Sequence, residues 1–230
     1  MKWSVVEEEG EKFVKCYGFV RLEFWSVIYC PWTTDDAFQA IYQDVKHLTS
    51  VSVERLWVLY LLAKQSLKIP GDFVECGVYQ GGTARLLAHV LMGSGKKLHL
   101  FDTFMGMPLA DVKWDVHRKG DFYETSLEEV QAVVGHEDMV VFHKGFVPET
   151  FLGLNDLRPA FVHLDLDLRQ STWDALEFIY PRMPLGASMV IDDYGQGTCP
   201  GLIEAVDRYF EDKRSVPLSL LGMQAVIFKI

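Results

Sequence analysis

From Gly71 to Lys213 short apolar runs alternate with helical segments five times, and this rhythm restricts the fold more than any other feature of the chain. The runs are "GDFVECGVY", "KLHLFDTF", "MVVFHKG", "PAFVHLDLD" and "GASMVIDDY". Each is followed by a helical or turn-rich stretch, and "LSLLGMQAVIFKI" closes the sequence as a hairpin. Uniformly apolar strands separated by helices predict an α/β fold with a mostly parallel sheet covered on both faces. Such sheets take ligands at the carboxyl ends of their strands. The first 70 residues differ: they are aromatic in "YGFVRLEFWSVIYCPW" and then helical. In "VERLWVLYLLAKQSL" the leucines 56, 59, 61, 62 and 67 are expected to face a core, and "KIPG" ends that helix. We expect one compact domain, with residues 1–70 as an amino-terminal helical cap or lid and residues 71–230 as the core.

The strands end in acids. Glu75 and Gly77 close the first, Asp102 the second, Asp165 and Asp167 the fourth, and Asp192 and Asp193 the fifth. Strand alternation places Asp165 and Asp167 on one face, with Phe161 and His163 behind them. Four carboxylates in one crevice repel, so the arrangement calls for a cation. All-oxygen donors suit Mg²⁺, Mn²⁺ or Ca²⁺ better than zinc. Individual acids have an alternative use as helix caps, Asp167 ahead of "STWDAL" being the obvious one.

The first βα turn, "ECGVYQGGTA", carries Gly77, Gly81 and Gly82 and departs from GxGxxG. Asp102, at the tip of the next strand, stands where nucleotide-binding sheets hold a ribose hydroxyl pair. The glycines alternatively serve only a tight turn. Formal net charge is −10 and no Lys/Arg cluster is visible, which argues against a nucleic-acid partner. No apolar run reaches the ~18 residues of a spanning helix, so no membrane partner is expected. The acidic start lacks a signal core and the four cysteines show no CxxC spacing, so we expect a cytoplasmic protein with free thiols. The histidines 89, 117, 136 and 143 show no metal spacing.

Taken together, "GDFVECGVYQGGTA", "FDTFMGMP", "GDFYETSLEEV", "LDLDLRQSTWDAL", "GASMVIDDY" and the earlier "LTSVSVERL" resemble the macrocin O-methyltransferase family over residues 45–228. The resemblance implies a class I methyltransferase (Rossmann-like) sheet of seven strands with an antiparallel last strand. It implies S-adenosylmethionine and Mg²⁺ (or Mn²⁺) as cofactors, and methylation of a sugar hydroxyl on a small glycosylated acceptor. It implies that Asp165, Asp192 and Asp193 bind the metal and that Asp167 is the general base. Glu75, Gly77 and Gly81 would belong to the first cofactor motif, and Asp102 and Thr103 to the ribose segment. Asp121, Phe122 and Ser126 would lie near the adenine, with Thr49 and Ser50 in a lid over the cofactor. Two positions depart from the family pattern, Arg169 in place of Tyr and Leu166 in place of Gly. Arg169 is then a candidate for an acidic substrate group or for a rim carboxylate. A catechol or phenol acceptor, and a non-catalytic cofactor-binding or nucleotide-binding module, are the competing readings. The aromatic amino-terminal stretch suits either a lid or a homo-oligomer interface.

Overall fold

The computed structural model describes residues 3–8, 11–16, 19–21 and 27–230, with side chains from Tyr29 onward. Among the described residues the amino-terminal part is α-helical only from Asp36, after a single 3-10 turn at Pro31–Thr33. Before it lie two small antiparallel hairpins, β1 (Trp3–Glu8) with β2 (Glu11–Cys16) and β3 (Phe19–Arg21) with β4 (Val27–Tyr29). Helix α1 (Asp36–Val45) starts where the Asp35 side chain accepts the Phe38 N–H at 2.8 Å. Helix α2 (Val53–Ser66) buries Leu56, Leu59, Tyr60 and Ala63. Leu61, expected on the same face, is instead exposed, because it falls half a turn away from Leu59.

The core then runs as β5 (Asp72–Cys76), α3 (Gly82–Leu91), β6 (Leu98–Asp102), α4 (Leu127–Val134) and β7 (Val140–Lys144). It continues with β8 (Pro159–Leu164), α5 (Arg169–Ile179), β9 (Ser188–Asp192), α6 (Pro200–Phe210), β10 (Leu218–Leu220) and β11 (Gln224–Phe228). Seven strands form one sheet in the order β10-β11-β9-β8-β5-β6-β7. Five are parallel, and β11 runs antiparallel to β9 and β10. Strand order reverses at β5: the chain steps outward to β6 and β7, then returns to build β8 and β9 on the other side. A crevice opens between diverging connections at such a point. Among the described residues no helix is long and apolar enough to cross a membrane.

Alternation along the strands feeds two cores. Phe73, Phe161, Val190 and Val226 pack with Phe38, Leu56, Leu59, Leu86 and Leu87, under α1 to α4. Val74, Cys76, Val162, Leu164, Met189 and Ile191 pack with Ala175, Leu176, Ile179, Leu202 and Val206, under α5 and α6. The turn after β5 is tightly constrained. Gly77 has φ +86°, and a Cβ there would lie 1.9 Å from the Asp165 carbonyl oxygen. Gly77→Ala therefore combines a left-handed backbone with a clash against main chain. It should cost about 2–5 kcal/mol, read as a fall in Tm without loss of secondary structure.

Candidate active site

The strand ends carry a polar row before they carry a rim. Glu75, His163, Asp192 and Gln224 come from four neighbouring strands and are essentially inaccessible. The His163 ring contacts Glu75 Oε1 at 2.7 Å through Nδ1 and approaches Asp192 Oδ2 at 3.4 Å through Nε2. The Gln224 amide donates to Asp192 Oδ1. Burial alone pushes the imidazole pKa down, but Asp192 and Glu75 raise it well above its usual value. The two carboxylates on either side of the ring thus favour its protonated form. Glu75 was expected at the cofactor. Its side chain instead points into the sheet and holds His163, because it keeps the alternation of Phe73.

Beyond Leu164 the strand rule stops applying. Asp167 and Asp193 both have φ +58°, in the left-handed region, so their side chains turn back toward the crevice. Donor atoms of Asp165, Asp167 and Asp193 lie within 4.8 Å of one another, and so do those of His163, Asp165 and Asp192. Asp165 is common to both groups, while Asp192 sits deeper, beside His163. Burial, then Asp192 and Asp167, raise the Asp165 pKa well above the carboxylate range. Burial, then a hydrogen bond and charge from Asp193, raise Asp167 to about 7. Asp192 Oδ2 is buried and makes no hydrogen bond. These are oxygen donors, crowded, under-compensated and with a spare lone pair, a set that fits a hard divalent cation.

Asp167 does not cap α5. Leu168 is the N-cap, and the Arg169 N–H at the head of that helix donates to Asp115 Oδ1 at 2.9 Å. The Arg169 guanidinium binds Glu204 on α6 at 2.5 Å and lies 5.0 Å over the Trp114 ring. It reaches neither the rim acids nor the crevice. Its neighbour Leu166 does line the crevice.

The crevice runs from these acids to the end of β6. Gly77, Val78 and Tyr79 form its floor, with Asp102, Thr103, Phe122, Thr49 and Ser50 around it. Asp102 accepts the N–H groups of Val78 and Phe104 at 2.6 and 2.7 Å, so it shapes the first βα turn. Gly81, at φ +86°, is the N-cap of α3, and its neighbour Gly82 donates its N–H to the Leu48 carbonyl. Ser126 caps α4 by accepting the Glu129 N–H, and its hydroxyl donates to the Glu129 carboxylate. Asp121 accepts the Arg118 N–H and faces His117. Gly81, Asp121 and Ser126 thus frame the crevice without lining it, whereas Thr125 and Phe146 line it without having been singled out. Two further groups escaped sequence reasoning. Arg55 of α2 contacts Asp193 Oδ1 at 2.9 Å. His117, Asp167 and Cys199 converge although they are far apart in sequence.

A family model for macrocin O-methyltransferases matches residues 48–229. A demethyldecarbamoylnovobiocin O-methyltransferase of Streptomyces niveus is 32% identical over 155 residues, covering 61% of this chain and 58% of that protein. The 8-demethyl-8-(2,3-dimethoxy-alpha-L-rhamnosyl)-tetracenomycin-C 4'-O-methyltransferase of Streptomyces olivaceus is 33% identical, covering 66% of this chain and 64% of its own. The chain thus spans less than two thirds of the length of both relatives. Among solved structures, the O-methyltransferase NovP superposes with a TM-score of 0.71 at 26% identity, over 79% of this chain and 82% of that one. The calicheamicin methyltransferase CalS11 superposes with a TM-score of 0.65 at 20% identity, over 84% and 93% of the two chains.

Proposed function

The chain belongs to the macrocin O-methyltransferase family, and we propose that it transfers a methyl group from S-adenosylmethionine to a sugar hydroxyl of a small glycosylated acceptor. The observation that carries this reading is the meeting of Asp165, Asp167 and Asp193 at one end of a crevice whose floor is a glycine-rich turn. The turn at Gly77–Tyr79, with Asp102 behind it, suits an adenosyl moiety, and Thr49 and Ser50 cover the same space from the cap. Asp165 and Asp193, with Asp192 behind them, would hold Mg²⁺ or Mn²⁺. That ion, when bound, would lower the pKa of the acceptor hydroxyl. Asp167 accepts the proton, and a value near 7 suits a base that works at neutral pH. The crevice aligns the acceptor oxygen with the methyl carbon and excludes water.

The two streptomycete relatives, by their names, act on demethyldecarbamoylnovobiocin and on a rhamnosyl-bearing tetracenomycin. The same chemical class of acceptor is assigned here. The experiment is a paired assay with radiolabelled S-adenosylmethionine, giving a panel of deoxysugar glycosides and a panel of catechols. Transfer to glycosides at least tenfold above catechols is the expected result. Transfer confined to catechols would replace the sugar reading with a phenolic one, and no binding of S-adenosylhomocysteine by calorimetry would remove the enzyme reading altogether. We also read residues 30–70 as a cap on the crevice and the protein as cytoplasmic. Support for the cap comes from Leu48–Val51, which line the crevice.

A further inference from the structure

Arg55 is the one cation that the cap sends into the acid cluster among the described residues. It is the third residue of α2, and its side chain is 11% exposed. The guanidinium lies 2.9 Å from Asp193 Oδ1 and 3.9 Å from Asp192 Oδ2. Its Nε is buried without a hydrogen-bond partner, as is Asp192 Oδ2. A guanidinium forks best onto a carboxylate with two parallel bonds. Here one nitrogen does the work and the fork is unfilled. The pairing is therefore electrostatic compensation, with geometry that leaves donors and acceptors over on both sides. The same Asp193 oxygen set also belongs to the group that fits a divalent ion.

We infer that Arg55 is an internal counter-ion of the acid cluster, displaced from Asp193 when the divalent ion binds. This rests on the metal reading given above. Two cations close to one carboxylate repel each other, so Arg55 and the ion compete for Asp193. The loop that leads into α2 also touches the first βα turn, where the Gly82 N–H donates to the Leu48 carbonyl at 3.2 Å. Displacement of the Arg55 side chain thus frees one polar tie of residues 48–55 to the core, while the bonds from Gly82 N–H to the Leu48 carbonyl and from the Gln224 amide to the Arg55 carbonyl stay.

The test is Mn²⁺ binding by calorimetry and by electron paramagnetic resonance, on the full chain without acceptor. Arg55→Gln keeps size and polarity and removes the charge. The variant is expected to bind Mn²⁺ about tenfold tighter than the unaltered protein. Weaker or equal binding by Arg55→Gln, with Mn²⁺ still bound by the unaltered protein, overturns the inference and leaves the metal reading standing. Mn²⁺ binding by neither protein overturns both. Because the acids lose compensation, Arg55→Gln is a risk for folding, so the second measurement uses the unaltered protein. A crystal structure with Mn²⁺ is expected to show Arg55 beyond hydrogen-bond distance of Asp193. A retained 2.9 Å contact beside a bound ion overturns the inference.

Discussion

Asp167→Asn is expected to lower kcat by two to four orders of magnitude while leaving cofactor affinity unchanged, a loss of roughly the size that general-base groups contribute. Asparagine matches the carboxylate in shape and cannot take a proton. The variant should also be no less stable than the parent. Asp167 is buried and pushed up to about 7, so its ionised form is disfavoured in the folded state. Removing that charge at pH 8 raises Tm or leaves it unchanged. Loss of turnover with an unchanged or higher Tm separates a chemical role from a structural one. Full turnover in the variant would exclude Asp167 as the base. A fall in Tm would mean that its contacts, including the 3.5 Å approach of the Cys199 thiol, matter to the fold instead.

Chelation is expected to have an effect as large. EDTA should abolish methyl transfer, and Mg²⁺ in excess should restore it. The acid cluster also gives a readout independent of turnover. The folded-state pKa of Asp167 is raised from 3.8 to about 7. Between those values the folded protein holds a proton that the unfolded chain has released. Stability of the metal-free protein from this group is therefore present at low pH and lost as pH rises through the window, on the order of 4 kcal/mol when complete. Asp165, raised for the same reasons, adds in the same direction. A bound cation compensates the ionised forms, so Mg²⁺ should raise Tm strongly at pH 8 and little at pH 5. Thermal melts with EDTA and with Mg²⁺ at both values decide this. An Mg²⁺ shift equal at the two pH values, or none, would remove the metal from the site.

Much of this was legible in the sequence because strands report themselves. The run "FVHLDLDL" is buried through Leu164 and emerges at Asp165, and the parallel strands and last hairpin follow from the five βα units and the closing run, although the order of the strands does not. Side-chain direction beyond a strand end was not legible. Asp167 and Asp193 take left-handed backbone angles that alternation does not foresee, and these decide which acids come together. Glu75 shows the converse. Motif position suggested a cofactor contact, whereas the period of two along β5 already aimed it at the row containing His163. Arg55 stood inside a quoted run with no sign of its partner, since a contact spanning 138 residues depends on how α2 crosses the sheet. Arg169 was legible as unusual, but its partner Glu204 lies a helix away.

The segment after β6 is closed at its neck, where the Met107 N–H donates to the Asp121 carbonyl and the Gly120 N–H to the Met107 carbonyl, and fastened at its tip by Asp115. Gly201 makes the fastening possible, since a Cβ there would meet Asp115 Oδ1 at 2.4 Å and Arg169 Cβ at 2.8 Å. Between neck and tip stand Leu109 and Val112, with Val116 just past it, all exposed. Such a segment is a detachable part. Its apolar residues and length can be exchanged without moving any strand end that holds the acids. A lineage of such proteins can hold its chemistry fixed and let recognition drift, with the small residue on α6 as the socket that keeps each new version seated.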